Sequence, residues 1–176
     1  EFAHQRGWRI AILGASEAAI VAYRSLGLRA AYHGDEAVVD TQSFSLDGRP
    51  IRKVRQSVHR LTRSGYTARA LRPSELSAEL REELETIARD WRGSAPERGF
   101  VMALDALFTL GDENAVFLVG FDAQGSPTRL LHFCIPRAGS ALSLSTMPRA
   151  STVPNGFTEW LICESIAWAR AEGYAR

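Results

Sequence analysis

Arg52, Arg55, His59 and Arg63 recur at three- and four-residue intervals, interleaved with Ile51, Val54, Val58 and Leu61 at the same spacing. At 100° per residue this pattern predicts an amphipathic helix over residues 50–64, ended by Gly65, with the apolar residues on one face. The opposite face then gathers three guanidinium groups and an imidazole. Guanidinium binds phosphate through charge-assisted and often bidentate hydrogen bonds, so phosphate recognition is the chemistry this stripe fits. A solvated helix face is the alternative, but such a face usually interleaves acids four residues from its bases. Gly48 to Arg72 holds eight cationic residues and no acidic one, leaving 13 basic and 20 acidic residues in the rest of the chain. A net charge of +1 therefore hides one strongly basic segment. Tyr66 alone interrupts it with an aromatic ring, so stacking on single-stranded bases has little support.

A second constellation lies near the end of the chain. Pro154, Asn155 and Gly156 precede an apolar helix expected from Phe157 to Glu172 and stopped by Gly173. Asn155 is expected to cap it, and Gly156 to allow a ligand close to the first N–H groups, which suit an anion or a carbonyl oxygen. Glu164 falls among Trp160, Leu161 and Trp168 on the helical wheel. A carboxylate facing a core needs a cation, an amine or a structural arginine as its partner. Glu159 lies on another face and reads as surface on pattern alone.

The elements that must position these residues follow from periodicity and turn residues. Trp8 to Leu13 reads as a strand, then Ser16 as the cap of a helix from Glu17 to Leu26, with short strands at residues 28–32 and 36–40. After the basic helix come a strand from Tyr66 to Leu71 and a helix opened by Pro73 and Ser74, with Leu76, Leu80, Leu84, Ile87 and Trp91 as its core stripe. Strands around residues 100–104, 115–121, 129–135 and 141–146, broken by Gly- and Pro-containing turns, suggest an antiparallel meander. The expected class is α+β. Units are expected at 1–47, 48–72 and 73–176.

Several classes have no support. At 176 residues and 45% hydrophobic content the chain can bury an ordinary core, and no apolar run approaches the roughly 20 residues of a membrane span. The first residues lack the pattern of a secretory signal and read as the interior of a longer protein. Cys134 and Cys163 have neither a CxxC spacing nor histidines at ligand intervals, which argues against a disulfide scaffold or a metal site and for a reducing compartment. There is no GxSxG elbow and no GxGxxG or P-loop. His4, His33, His59 and His132 are scattered, and His132, between Leu131 and Phe133, reads as structural.

Three segments resemble one family. Phe44 to Thr67 (FSLDGRPIRKVRQSVHRLTRSGYT) is similar to the basic-helix segment of bacterial aminoacyl-phosphatidylglycerol synthases, the phosphatidylglycerol lysyltransferases or multiple peptide resistance factors. Trp91 to Gly93 followed by Glu97 to Phe100, and Pro154 to Glu159 with Glu164, Gly173 and Tyr174, resemble two further stretches of the same family. The resemblance implies an acetyltransferase-like (GNAT-type) fold, part of a tandem pair, with a mixed antiparallel sheet flanked by helices. It implies a cytoplasmic domain of a cell-membrane protein that transfers an amino acid, usually lysine, from aminoacyl-tRNA to phosphatidylglycerol. No cofactor beyond the aminoacyl-tRNA co-substrate is implied. Its partners would be aminoacyl-tRNA, phosphatidylglycerol and, through segments outside this chain, the membrane surface.

Carried over by position, Arg52, Arg55 and Arg63 would face tRNA or lipid phosphate and Asn155 would line the aminoacyl site, with His59, Gly156 and Arg149 as further expected substrate-binding residues. Glu164 and Glu159 line the aminoacyl site as the catalytic pair. One difference stands out: where relatives carry an Asp-Leu-Met-Arg-Arg run, this chain reads Ser145, Thr146, Met147, Pro148, Arg149, without the aspartate. Two other readings share the fold or the basic patch. An acyl-CoA-dependent N-acyltransferase needs a [QR]xxGx[GA] pyrophosphate loop ahead of its main helix, and neither Arg137 to Ser140 nor Arg149 to Pro154 fits it. The other is a phosphate-binding module without turnover.

Overall fold

The computed structural model describes residues 1–12, 14–32, 34–95, 107–137 and 139–176. The expected strand at 100–104 lies outside them, as do His33 and Leu13. Contacts divide the chain into two compact units, Glu1–Ala37 and Val38–Arg176.

The first unit holds two helices, α1 (Phe2–Gln5) and α2 (Glu17–Ser25). Ser16 stands at the N-cap of α2, although its hydroxyl makes no capping hydrogen bond. Around α1 the side chains cluster locally, with the Arg6 guanidinium 3.6 Å from the centre of the Phe2 ring and Phe2 edge-on to Trp8. The strands expected at 8–13, 28–32 and 36–40 are not formed among the described residues. Alternation marks a segment that could join a sheet, but a strand exists only where a second one takes up its N–H and C=O groups.

Among the described residues the second unit forms a four-stranded antiparallel sheet in the order β1-β2-β3-β4, flanked by helices. Its strands are β1 (Thr67–Leu71), β2 (Ala115–Phe121), β3 (Pro127–Cys134) and β4 (Ser143–Thr146). Central β2 is buried at every position, which its unbroken apolar run requires. Helices α3 (Arg52–Arg63) and α5 (Phe157–Ala171) pack on each other, and α5 also meets β1 and β2. Their core joins Leu61, Leu118, Leu131, Phe157, Trp160 and Leu161. Gly120 lets α5 approach β2: a Cβ there would stand 2.8 Å from the Phe157 ring.

A second core, Leu71, Leu76, Leu84, Phe117, Val119, Phe121 and Leu130, packs with α4 (Ala78–Arg92). The alternation along β2 and β3 sends these side chains to the other face of the sheet. Pro73 and Ser74 do not open α4. They form a 3-10 turn, and the helix starts after Ser77, whose hydroxyl accepts the Leu80 N–H at 3.2 Å. Leu76 thus reaches the core from before the helix, while Trp91, at the far end, is 45% exposed. His132 is fully buried on this face, stacked on Phe117 with centroids 4.7 Å apart, and both ring nitrogens lack hydrogen bonds. Burial pushes its pKa down to about 4, so the ring is neutral at ordinary pH. The structural reading of His132 therefore holds. Among the described residues no helix is long and apolar enough to cross a membrane.

Candidate functional site

The basic helix forms as its spacing predicts, but its cations divide. Arg52, Lys53, His59 and Arg63 are exposed. Arg55 is half-buried and turns back, donating from Nη1 to the Leu46 carbonyl and, at 3.2 Å, to that of Gly48. The segment it grips is anchored at its other end on α5, where Arg170 donates to the carbonyls of Thr41 (2.5 Å) and Phe44 (2.6 Å). Arg55 is thus a structural clamp, and the stripe open to a ligand consists of the other four.

Where α3 meets the start of α5, the expected cap is replaced. Asn155 does not cap α5; Gly156 is the N-cap, in the left-handed region at φ 77°, without a capping side chain. The Asn155 carbonyl instead accepts from Arg60 Nη2. Gly156 does permit a close approach, but what comes close is α3: a Cβ there would meet Ser57 Oγ and lie 2.7 Å from Ser57 Cβ. The two helices are clasped at this point. Beside the clasp opens a groove of about 510 Å3, lined among others by Arg60, Ser64, Tyr66, Gln124 and Asn155. Its size suits a small ligand or one nucleotide. Tyr66 is fixed under it by edge-on contacts with Phe157 and Trp160, at 5.3 and 6.4 Å.

The first turns of α5 hold the acidic candidates. Glu159 is exposed and Glu164 half-buried. Burial pushes the Glu164 carboxyl above its usual range, opposed by the Trp160 indole, whose N–H does not reach full hydrogen-bond geometry. Between them Cys163 is buried, and its thiol is pushed up to about 11 by burial first and then by the charges of Glu164 and Glu159. It is therefore a protonated packing residue at neutral pH. Cys134 and Cys163 are both free thiols.

Arg129, which periodicity did not single out, joins this region from β3. It is 4% exposed and donates from Nη1 to the Thr158 hydroxyl in the first turn of α5 and from Nη2 to the Met147 carbonyl at 3.5 Å. Arg149 pairs directly opposite it across an isolated bridge. The structure thus gathers Arg149, Thr158 and Glu159 around Arg129, and brings Asn155 and Gly156 together with α3. No hydrogen bond links Arg52, His59 or Arg63 to Glu159 or Glu164. The sequence signal for Arg129 was a charge in alternation with the apolar Leu131 and Phe133 along one face of the strand.

The family described as phosphatidylglycerol lysyltransferase, C-terminal, matches residues 1–176. The chain belongs to that family. Among curated relatives, the lysylphosphatidylglycerol biosynthesis bifunctional protein LysX of Rhodococcus jostii is 38% identical over 162 residues, 92% of this chain. That of Mycobacterium avium is 35% identical over 170 residues, 97% of the chain. The chain spans about 14% of the length of either relative. Among solved structures, L-PGS from Bacillus licheniformis superposes with a TM-score of 0.84 at 24% identity, covering 99% of this chain and 55% of that one. The C-terminal domain of a putative lysylphosphatidylglycerol synthetase from Agrobacterium fabrum gives 0.74 at 22% identity, covering 99% and 54%. These likenesses show a shared α+β fold.

Proposed function

We propose that this chain is part of the catalytic region of an aminoacyltransferase that moves an amino acid, lysine by the family's name, from aminoacyl-tRNA to the glycerol headgroup of phosphatidylglycerol. The observation that carries this reading is the family match over all 176 residues. The exposed cations of α3 and the nucleotide-sized groove at its end support a polyanionic donor. The whole protein works at the cytoplasmic side of a membrane, held there by segments outside this chain.

The reaction exchanges one ester for another. A headgroup hydroxyl attacks the aminoacyl carbonyl, the bond to the tRNA ribose breaks, and the hydroxyl proton ends on the ribose oxygen that leaves. The ester is already activated, so positioning supplies much of the acceleration. Glu164 takes the proton: a carboxyl raised above its usual range by burial is a better base near neutral pH than a solvated one. Glu159, exposed in the same helix, holds the ammonium group of the donated amino acid. The whole protein, in phosphatidylglycerol vesicles with lysyl- and alanyl-tRNA carrying labelled amino acids, is expected to move label into lipid, from lysyl-tRNA foremost. Absence of label in lipid from either donor would reject the reading.

A further inference from the structure

Arg129 is a buried cation to which no carboxylate is hydrogen-bonded. Both of its hydrogen bonds go to neutral oxygens, those of Thr158 and Met147, and its buried Nε–H has no partner. Across the sheet stands a second cation, Arg149, directly opposite and therefore on the same face. Burial foremost, and then the charge of Arg149, pull the Arg129 pKa down, with only Glu159 opposing. Two like charges facing each other, one of them desolvated, are unfavourable unless an anion completes them. The N–H groups of the first turn of α5, beside Thr158, add partial positive charge at the same place.

We infer that Arg129 and Arg149 form a phosphodiester site at the start of α5 that takes the headgroup phosphate of a glycerophospholipid. The site holds two guanidinium groups, which suits one phosphate, whereas the exposed stripe of α3 suits the many phosphates of an RNA. Apolar surface adjoins it: Met147, whose carbonyl accepts from Arg129, exposes 41% of its surface, and an acyl chain leaving the phosphate can lie there. Arg149 is exposed and reaches the phosphate from solvent, while Arg129 supplies a buried positive charge behind it. The assignment of a lipid rests on the acceptor proposed above.

The test uses the whole protein and three probes in calorimetry: dihexanoyl-phosphatidylglycerol, dihexanoylglycerol, which lacks the phosphate, and inorganic phosphate. The parent is expected to bind the phospholipid at least tenfold more tightly than either of the others. Arg149→Ala removes that advantage and leaves aminoacyl-tRNA affinity unchanged. Arg129→Lys, which keeps the charge and loses the fork, has the same effect at an unchanged melting temperature. If Arg129→Lys unfolds the protein, the exposed Arg149 still decides. Unchanged phospholipid binding in Arg149→Ala overturns the proposal, as does weakened tRNA binding with lipid binding intact, which gives the site to RNA. Inorganic phosphate binding as tightly as the phospholipid overturns its lipid part. These measurements do not require turnover: phospholipid binding that depends on Arg149, without label transfer from either tRNA, would sustain the site and reject the transferase.

Discussion

The outer stripe of α3 and the first turn of α5 both carry arginine, yet they use it differently. On α3, Arg52 and Arg63 stand in solvent beside Lys53 and His59, while Arg55 on the same helix is drawn onto two backbone carbonyls. At the start of α5, Arg129 is buried and Arg149 faces it from an exposed position. The lesson is that helical spacing reveals where cations collect but not which of them are engaged by the fold. A guanidinium that already serves backbone carbonyls has fewer donors for a ligand, and one held rigid beside another cation is poised for a single anion.

The comparison can be broken most severely at Glu164, further along α5. Glu164→Gln in the whole protein is expected to lower single-turnover transfer of labelled amino acid by about 10²-fold or more, as loss of a general base does, with tRNA and lipid binding kept. Unchanged transfer would remove Glu164 from the mechanism. A control lies on the opposite face of the sheet. His132 has a folded pKa of about 4 against an ordinary 6.5, so the unfolded chain takes up its proton first as pH falls. Its contribution to stability is complete above about pH 6.5, declines to pH 4 and changes no further below, a loss of roughly 3 kcal/mol. Denaturant melts across that range should show it, and His132→Phe should flatten the dependence while leaving both binding regions intact.

Two smaller changes sharpen the contrast. Gly156→Ala sets a Cβ against Ser57 at a position with φ 77°, and is expected to cost about 2–3 kcal/mol in denaturant melts. Adding Ser57→Gly should restore part of it, because the contact relaxes while the backbone strain stays. Arg55→Ala should cost about 1–2 kcal/mol through its lost carbonyl hydrogen bonds. It should weaken tRNA binding less than Arg52→Ala does. The opposite order would mean that Arg55 meets RNA and that its clamp is incidental.

Much of the second unit was legible because its elements carry strong local signals. The apolar run Ala115 to Phe121 is a strand with those bounds, and α3 and α5 fall within two residues of their predicted ends. Glu164 stands out in the sequence because a carboxylate in an apolar stripe violates the pattern, and the fold leaves it half-buried. The strands expected in the first unit failed because β structure is decided by a partner that local sequence does not display. Asn155 failed as a cap because Arg60, distant in sequence, holds the chain so that Gly156 takes the cap position. Arg129 was missed for the same reason: its neighbours, Thr158 and Arg149, come together only in the fold.

The most direct test of the division between the two regions is the salt dependence of aminoacyl-tRNA binding to the whole protein, with and without Arg52→Ala and Arg63→Ala together. If exposed α3 cations meet RNA phosphates, the slope of log affinity against log salt should become shallower by about two, one for each cation removed, with phosphatidylglycerol binding unchanged. An unchanged slope, or a loss confined to the lipid, would contradict the account.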